Sequence, residues 1–136
     1  MSLQNCVFCK IVNKEIPAKI VFENSLNLAF LDLFPLSNGH TIVIPKRHYA
    51  NLEDIPIKEL HHIIETVKQV AILIHNRLEI DGYNILQNNF KAAGQVVNHF
   101  HFHIIPRRMD DNKFKLSIPH EQATEESLEK IVNLLR

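Results

Sequence analysis

Three histidines separated by single residues, His99-Phe100-His101-Phe102-His103, are the side chains of this sequence best placed to do chemistry. Imidazole changes charge near neutral pH, so it can serve as nucleophile, proton carrier or metal ligand. Residues two apart in a strand share a face. A strand over Asn98–Arg107 therefore puts the three imidazoles in one row and turns Phe100, Phe102 and Ile104 the other way, into a core. At about 3.3 Å of rise per residue, neighbours in the row stand about 7 Å apart and its ends about 13 Å apart. Spacing alone leaves three possibilities open. The row is a polar stripe on a solvated face; or two of its members, such as His101 and His103, ligate a catalytic ion; or one imidazole attacks an electrophile.

Cys6-x-x-Cys9 is the second constellation, and it fits a redox pair, two small buried residues or half of a metal site. His61, His62 and His75 have no partner at catalytic spacing and read as surface or interface residues, while His120 lies in a tail that constrains nothing. Lys46, Arg47, Arg107 and Arg108 read as solvated charges. There is no Ser-His-Asp order, phosphate-binding P-loop or dinucleotide-binding glycine pattern.

The elements that must position these groups follow from periodicity. Val7–Val12 reads as a short helix stopped near Asn13, and strands are expected at Lys19–Glu23 and Leu28–Leu33, with Asn24-Ser25 as their turn. Ser37-Asn38-Gly39 is turn chemistry ahead of a β-branched run, His40–Ile44. From Pro56 to Leu78, apolar residues recur at the helical period, which predicts one long amphipathic helix ended by Asp81-Gly82. Tyr83–Asn88 is a further strand. Thr124 is expected to cap a C-terminal helix with Leu128, Ile131, Val132 and Leu135 on its apolar face. The whole is an α+β domain with a mainly antiparallel sheet and its helices packed on one face.

With 136 residues the chain fits one domain that can build a core without disulfides. Fifteen basic residues balance fifteen acidic ones, so no overall field favours nucleic acid or an anionic membrane. Two cysteines, no signal-like N-terminus and no long apolar run give a cytoplasmic expectation.

The stretch from Asn88 to Arg107, with Gly94-Gln95 upstream of the three histidines, resembles the signature of the histidine-triad (HIT) hydrolases and transferases. Phe30-Leu31-Asp32, Gly39 to His48 and the opening Cys6 to Ile11 are similar to other blocks of that family. The resemblance covers residues 6–107 and implies a single HIT domain over 1–136, whose tail and helix at 110–136 vary. It further implies a five-stranded sheet with the long helix packed on it, continued across a homodimer. Residue by residue, it implies His101 as a nucleophile that takes the α-phosphate of a purine nucleotide into a covalent nucleotidyl-histidine. His103 would then donate to a phosphate oxygen, Gln95 would act near the scissile bridge or the attacking water, and His40 would support the tautomers of the row. Asp32 would accept the ribose hydroxyls, and Asn88 and Gly94 would lie against phosphate or ribose, with Phe8 and Ile11 at the base. The implied substrates are nucleoside phosphoramidates, acyl-nucleotides or dinucleoside polyphosphates; a regulatory nucleotide-binding module with little turnover is the alternative. Relatives also imply a structural zinc on Cys6, Cys9, His48 and His99. One departure stands out: Val96 occupies a position where many relatives carry Ser or Thr.

Overall fold

The computed structural model describes residues 4–113 and 120–136. Its elements in chain order are α1 (Val7–Val12), β1 (Ile20–Glu23), β2 (Asn27–Leu31), β3 (Thr41–Pro45), α2 (Ile57–Leu78), β4 (Gly82–Leu86), a 3-10 turn (Lys91–Ala93), β5 (Phe102–Arg107) and α3 (Glu125–Leu135). The strands form one five-stranded sheet in the order β1-β2-β3-β5-β4. Every neighbouring pair is antiparallel.

Strand alternation divides the core in two. Ala29 of β2, Val43 of β3 and Phe102 and Ile104 of β5 face α2, where they meet Ile63, Val67, Val70, Ala71 and Ile74. Leu28, Phe30, Ile42 and Ile44 point to the other face and pack with Cys6, Phe8 and Cys9 around α1. The expectation of helices on one face is therefore corrected. The short helix α1 is held on the opposite face because Phe8 and Cys9 are buried against the second set of strand side chains.

Other boundaries differ for local reasons. The long helix ends at Leu78, as its periodicity predicts, but its C-cap is Glu79 in the left-handed region (φ 50°) in place of Asp81-Gly82. The Arg108 guanidinium donates to the carbonyls of Leu78 and Glu79 at 2.8 and 3.0 Å, which satisfies acceptors that a helix end leaves open. Gly82 is simply the first residue of β4. The strand expected over Asn98–Arg107 begins only at Phe102. Before it, the Phe100 amide donates to the Tyr49 carbonyl at 2.6 Å, outside the ladder.

Thr124 caps α3 through its hydroxyl, which accepts from the Ser127 amide at 3.2 Å. No residue of α3 is buried, and Leu128 and Leu135 of its expected apolar face are exposed. Among the described residues, no helix is long and apolar enough to cross a membrane.

Candidate active site and metal centre

The face of the sheet that carries α1 also carries the histidines, and backbone groups decide which nitrogen of each ring holds its proton. The His101 Nδ1 lies 2.6 Å from the His99 carbonyl oxygen. A carbonyl can only accept, so the proton sits on Nδ1 and the lone pair is left on Nε2. A neutral imidazole with that tautomer is a nucleophile.

His103 is fixed by a relay. The Leu36 amide donates to His40 Nδ1 at 3.0 Å, which places the His40 proton on Nε2. That Nε2–H donates to His103 Nδ1 at 2.9 Å, leaving the His103 proton on its own Nε2. His103 thus presents a donor while His101 presents a lone pair, from rings whose centroids are 4.9 Å apart. The rings approach more closely than the 7 Å of an ideal strand because residues 99–101 lie before β5 and the His101 ring folds back on His99.

The same relay argues against a cation on Asp32, His40 and His103, whose ligand atoms lie within 4.8 Å of one another. To ligate, His40 Nε2 would have to lose its proton while Nδ1 still accepts from Leu36, which makes an imidazolate. The cluster is a hydrogen-bonded relay.

Burial keeps these rings neutral. It pushes His103 down to about 4, helped by the neighbouring His101 and His40 and opposed by Asp32. His101 is lowered by burial, against the pull of the His99 carbonyl and Asp32. His40 is lowered by burial, again against Asp32.

His99 has left the row. It is fully buried, its Nε2–H donates to the Pro45 carbonyl at 2.8 Å, and its Nδ1 lone pair therefore faces Cys6 Sγ at 3.3 Å and Cys9 Sγ at 3.6 Å. His48 Nδ1 lies 3.4 Å from Cys9 Sγ. Cys6 is the N-cap of α1 and accepts the Cys9 amide at 3.4 Å; the two-residue spacing brings the sulfurs into the first helical turn. These four residues can hold a metal. Zinc at its usual bond lengths in a tetrahedron gives sulfur–nitrogen edges of about 3.5 Å, and the observed separations are 3.3 to 3.6 Å. Burial pushes His99 down to about 4 and lowers His48, favouring the neutral imidazoles that ligation needs.

The remaining predicted residues are divided. Asp32 follows β2 directly; its Oδ1 accepts the Phe34 amide at 2.9 Å and its Oδ2 is 3.6 Å from His40 Nε2. Gly94 has φ +93°, and a Cβ there would meet Asn88 Nδ2 at 3.8 Å, so Asn88 and Gly94 are brought together. Their neighbour Gln95 is not aimed at the histidines. Its buried amide donates to the Ala50 and Val97 carbonyls and accepts from the Phe90 amide, bolting the 3-10 turn to the loop after β3. The Gly94 and Gln95 amides are spent on the carbonyls of Lys91 and Phe90. Phe8 stands edge-on to His99 and His101, 5.8 and 5.2 Å between centroids, a contact that sequence did not reveal. Ile11 is partly buried beside it. His61 and His75 are exposed on α2, and His62 lends its carbonyl to Asn27.

A cavity of about 660 Å³ opens on the metal side, between Asn5–Val7, the loop from His48 to Asn51 and the loop from Phe90 to Asn98. Val96 projects there, 91% exposed.

Comparison with known proteins places this geometry. The HIT domain family matches residues 13–110. An uncharacterised HIT-like protein of Methanocaldococcus jannaschii is 51% identical over 108 residues, 79% of this chain and 83% of that one. The adenosine 5'-monophosphoramidase HNT1 of Candida albicans is 37% identical over 136 residues, 97% of this chain and 90% of its own. A zinc-bound histidine triad family protein of Mycobacterium smegmatis superposes with a TM-score of 0.77 at 38% identity, covering 96% of this chain and 95% of that chain.

Proposed function

This chain belongs to the HIT domain family and is a hydrolase of it; on that premise we propose that it cleaves purine nucleoside phosphoramidates at the α-phosphate through a covalent nucleotidyl-histidine. Acyl-nucleotides and dinucleoside polyphosphates, which share the α-phosphate and differ in the leaving group, belong to the same reading. The observation that carries it is the pair of opposite tautomers, a lone pair on His101 beside a donor on His103. The phosphoramidase activity named for the Candida albicans relative supports the substrate class.

In the first step His101 Nε2 forms a bond to phosphorus and the phosphorus–nitrogen bond of the substrate breaks, the amine leaving with a proton from solvent. In the second, water attacks phosphorus, the bond to His101 breaks and the nucleoside monophosphate departs. Two moderate displacements replace one difficult one. His103 Nε2–H holds a non-bridging oxygen, and positioning with charge stabilisation is most of what phosphoryl-type transfer asks of a protein. His40 is a positioning residue that sets the His103 tautomer. Asp32 takes the ribose hydroxyls with the oxygen that the Phe34 amide does not use, and Asn88 with Gly94 lies along the phosphate. Because the Gly94 and Gln95 amides are engaged, donation from the backbone falls to the loop from Val96 onward, and Gln95 acts by holding that loop.

Zinc on Cys6, Cys9, His48 and His99 is structural in this reading, tying α1 to the sheet. The protein is a cytoplasmic homodimer joined along the β4 edge and α2. Exposed Tyr83 and Ile85 on that edge strand, and Ile64 and Ile72 on α2, support the pairing. So does α3, since an 11-residue helix with no buried side chain is marginal by itself. Sizing should return twice the 15.8 kDa chain mass, and a monomer would refute the dimer.

The test of function is AMP release from adenosine phosphoramidate by wild type and by His101→Asn. Release should fall at least about a hundredfold, about 2.7 kcal/mol of barrier. Unchanged release would remove His101 from the chemistry, and binding of AMP with no turnover by wild type would favour the regulatory module.

A further inference from the structure

Two units that the sequence keeps apart meet on one residue. His99 turns its Nδ1 to the sulfurs of Cys6 and Cys9, while its backbone carbonyl accepts the His101 Nδ1–H at 2.6 Å. We propose that the Cys6, Cys9, His48, His99 centre positions the nucleophile, so that its metal state sets turnover; this rests on the reading of His101 as that nucleophile.

The orientation of the His99 carbonyl rests on the centre that holds its ring and on one backbone bond of the same peptide unit. Residues 98–101 precede β5, so no ladder bond fixes them. The backbone bond that does hold the segment, Phe100 N–H to the Tyr49 carbonyl at 2.6 Å, runs to the residue after His48, itself a member of the centre. The His99 ring is fixed at two ends, by the Pro45 carbonyl on Nε2 and by the centre on Nδ1. A third contact comes from α1, where Phe8 sits between the two cysteines and presses edge-on against His101 at 5.2 Å. A metal held by Cys6, Cys9, His48 and His99 would join carbonyl, ring and α1 into one unit around the nucleophile. Without it, the His99 Nδ1 would keep only the weaker thiol contacts of Cys6 and Cys9, and His101 would be freer to move its proton to Nε2. A ring in that tautomer has no lone pair where the phosphorus arrives.

The consequence is specific. Asp32, His40 and His103 are held by Phe34, Leu36 and one another. Nucleotide binding should therefore survive metal loss while the chemical step does not. The 660 Å³ cavity, lined by Cys6 and His48, opens the centre to solvent, so a chelator can act on the folded protein.

The experiment compares zinc-loaded, chelator-stripped and zinc-reloaded full-length protein. Long-range proton–nitrogen correlation reads the His101 tautomer, assigned by its loss in His101→Asn; calorimetry reads AMP affinity; steady-state kinetics read kcat and KM. The loaded protein should show a single Nδ1–H tautomer. The stripped protein should show tautomer averaging and a kcat lower by at least about tenfold, or about 1.4 kcal/mol, with AMP affinity and KM retained, and reloading should restore all of it. Stripped protein that binds AMP and keeps both tautomer and kcat overturns the proposal. If stripped protein no longer binds AMP, His48→Cys, which keeps four ligands, decides against His48→Ala. The former should keep tautomer and kcat and the latter lose them, and equal loss in both overturns the proposal. Turnover surviving in His101→Asn refutes the nucleophile separately, because the tautomer of wild type still reports whether the centre orients the ring.

Discussion

At the scale of the residue, chemistry here is decided by single backbone groups. The carbonyls of His99 and Pro45 and the amide of Leu36 assign a proton to one nitrogen in each of His101, His99 and His40. Residue types and spacing were legible in the sequence: the triad, Cys6 and Cys9, and the family resemblance that joined His48 and His99 to them. The tautomers were not, because a carbonyl contributed by Pro45 or an amide by Leu36 carries no signature of residue type. Gln95 shows the limit most clearly. Its expected place near the scissile bridge came from resemblance, whereas its amide bonds to Ala50, Val97 and Phe90 depend on a loop path that no local pattern reveals. Val96 offers a clean test of the phosphate loop. At 91% exposure its side chain has little packing to lose. Val96→Ser should therefore keep or raise the rate of AMP release by restoring a donor beside the phosphate, and a large loss of turnover would show that the loop is misassigned.

At the scale of the element, periodicity located α2, the sheet strands and the Thr124-capped helix because each carries its own pattern of apolar residues. It failed where tertiary contacts set the boundary. The row of histidines reads as strand from Asn98, yet the bond from Phe100 to Tyr49 and the pull of His99 toward the cysteines take residues 98–101 out of the ladder. The end of the long helix at Leu78 followed from its period, but its terminator did not: Asp81-Gly82 was expected because glycine is the usual stop, and Arg108, distant in sequence, caps Leu78 and Glu79 instead. The turn ahead of β3 shows a glycine with no substitute. Gly39 has φ +91°, and a Cβ there would lie 2.5 Å from Leu78 Cδ1 and 3.3 Å from Pro106 Cγ. Gly39→Ala should destabilise the fold by about 1–3 kcal/mol through strain and crowding. Because the turn also delivers His40, kcat should fall with it. A denaturant midpoint equal to that of wild type would contradict this account of the turn.

At the scale of the whole molecule, the two cores on either side of the sheet hold a row of imidazoles in their neutral state, and that has a cost in acid. The folded values of His99 and His103, about 4 each, lie below the ordinary 6.5 that the unfolded chain has. Between those values the unfolded chain binds more protons, so stability rises with pH. The contribution is fully present above about 6.5 and drains away as pH falls toward 4, with His40, His48 and His101 adding in the same direction. Urea midpoints should fall from pH 7.5 to pH 5, and a midpoint that rises over that range would contradict the buried neutral row. Metal ligation at His99 works in the same sense, because a proton on its Nδ1 competes with the ion.

The central claim, that His101 attacks the α-phosphate, is tested most directly by trapping what it forms. Wild-type protein mixed with adenosine phosphoramidate, quenched in base within a turnover and digested, should yield the peptide containing His101 with one adenylyl group attached at that residue. The modification should be absent from His101→Asn. An adenylyl group found on another residue, or AMP produced at the wild-type rate with no modified peptide at any time, would contradict it.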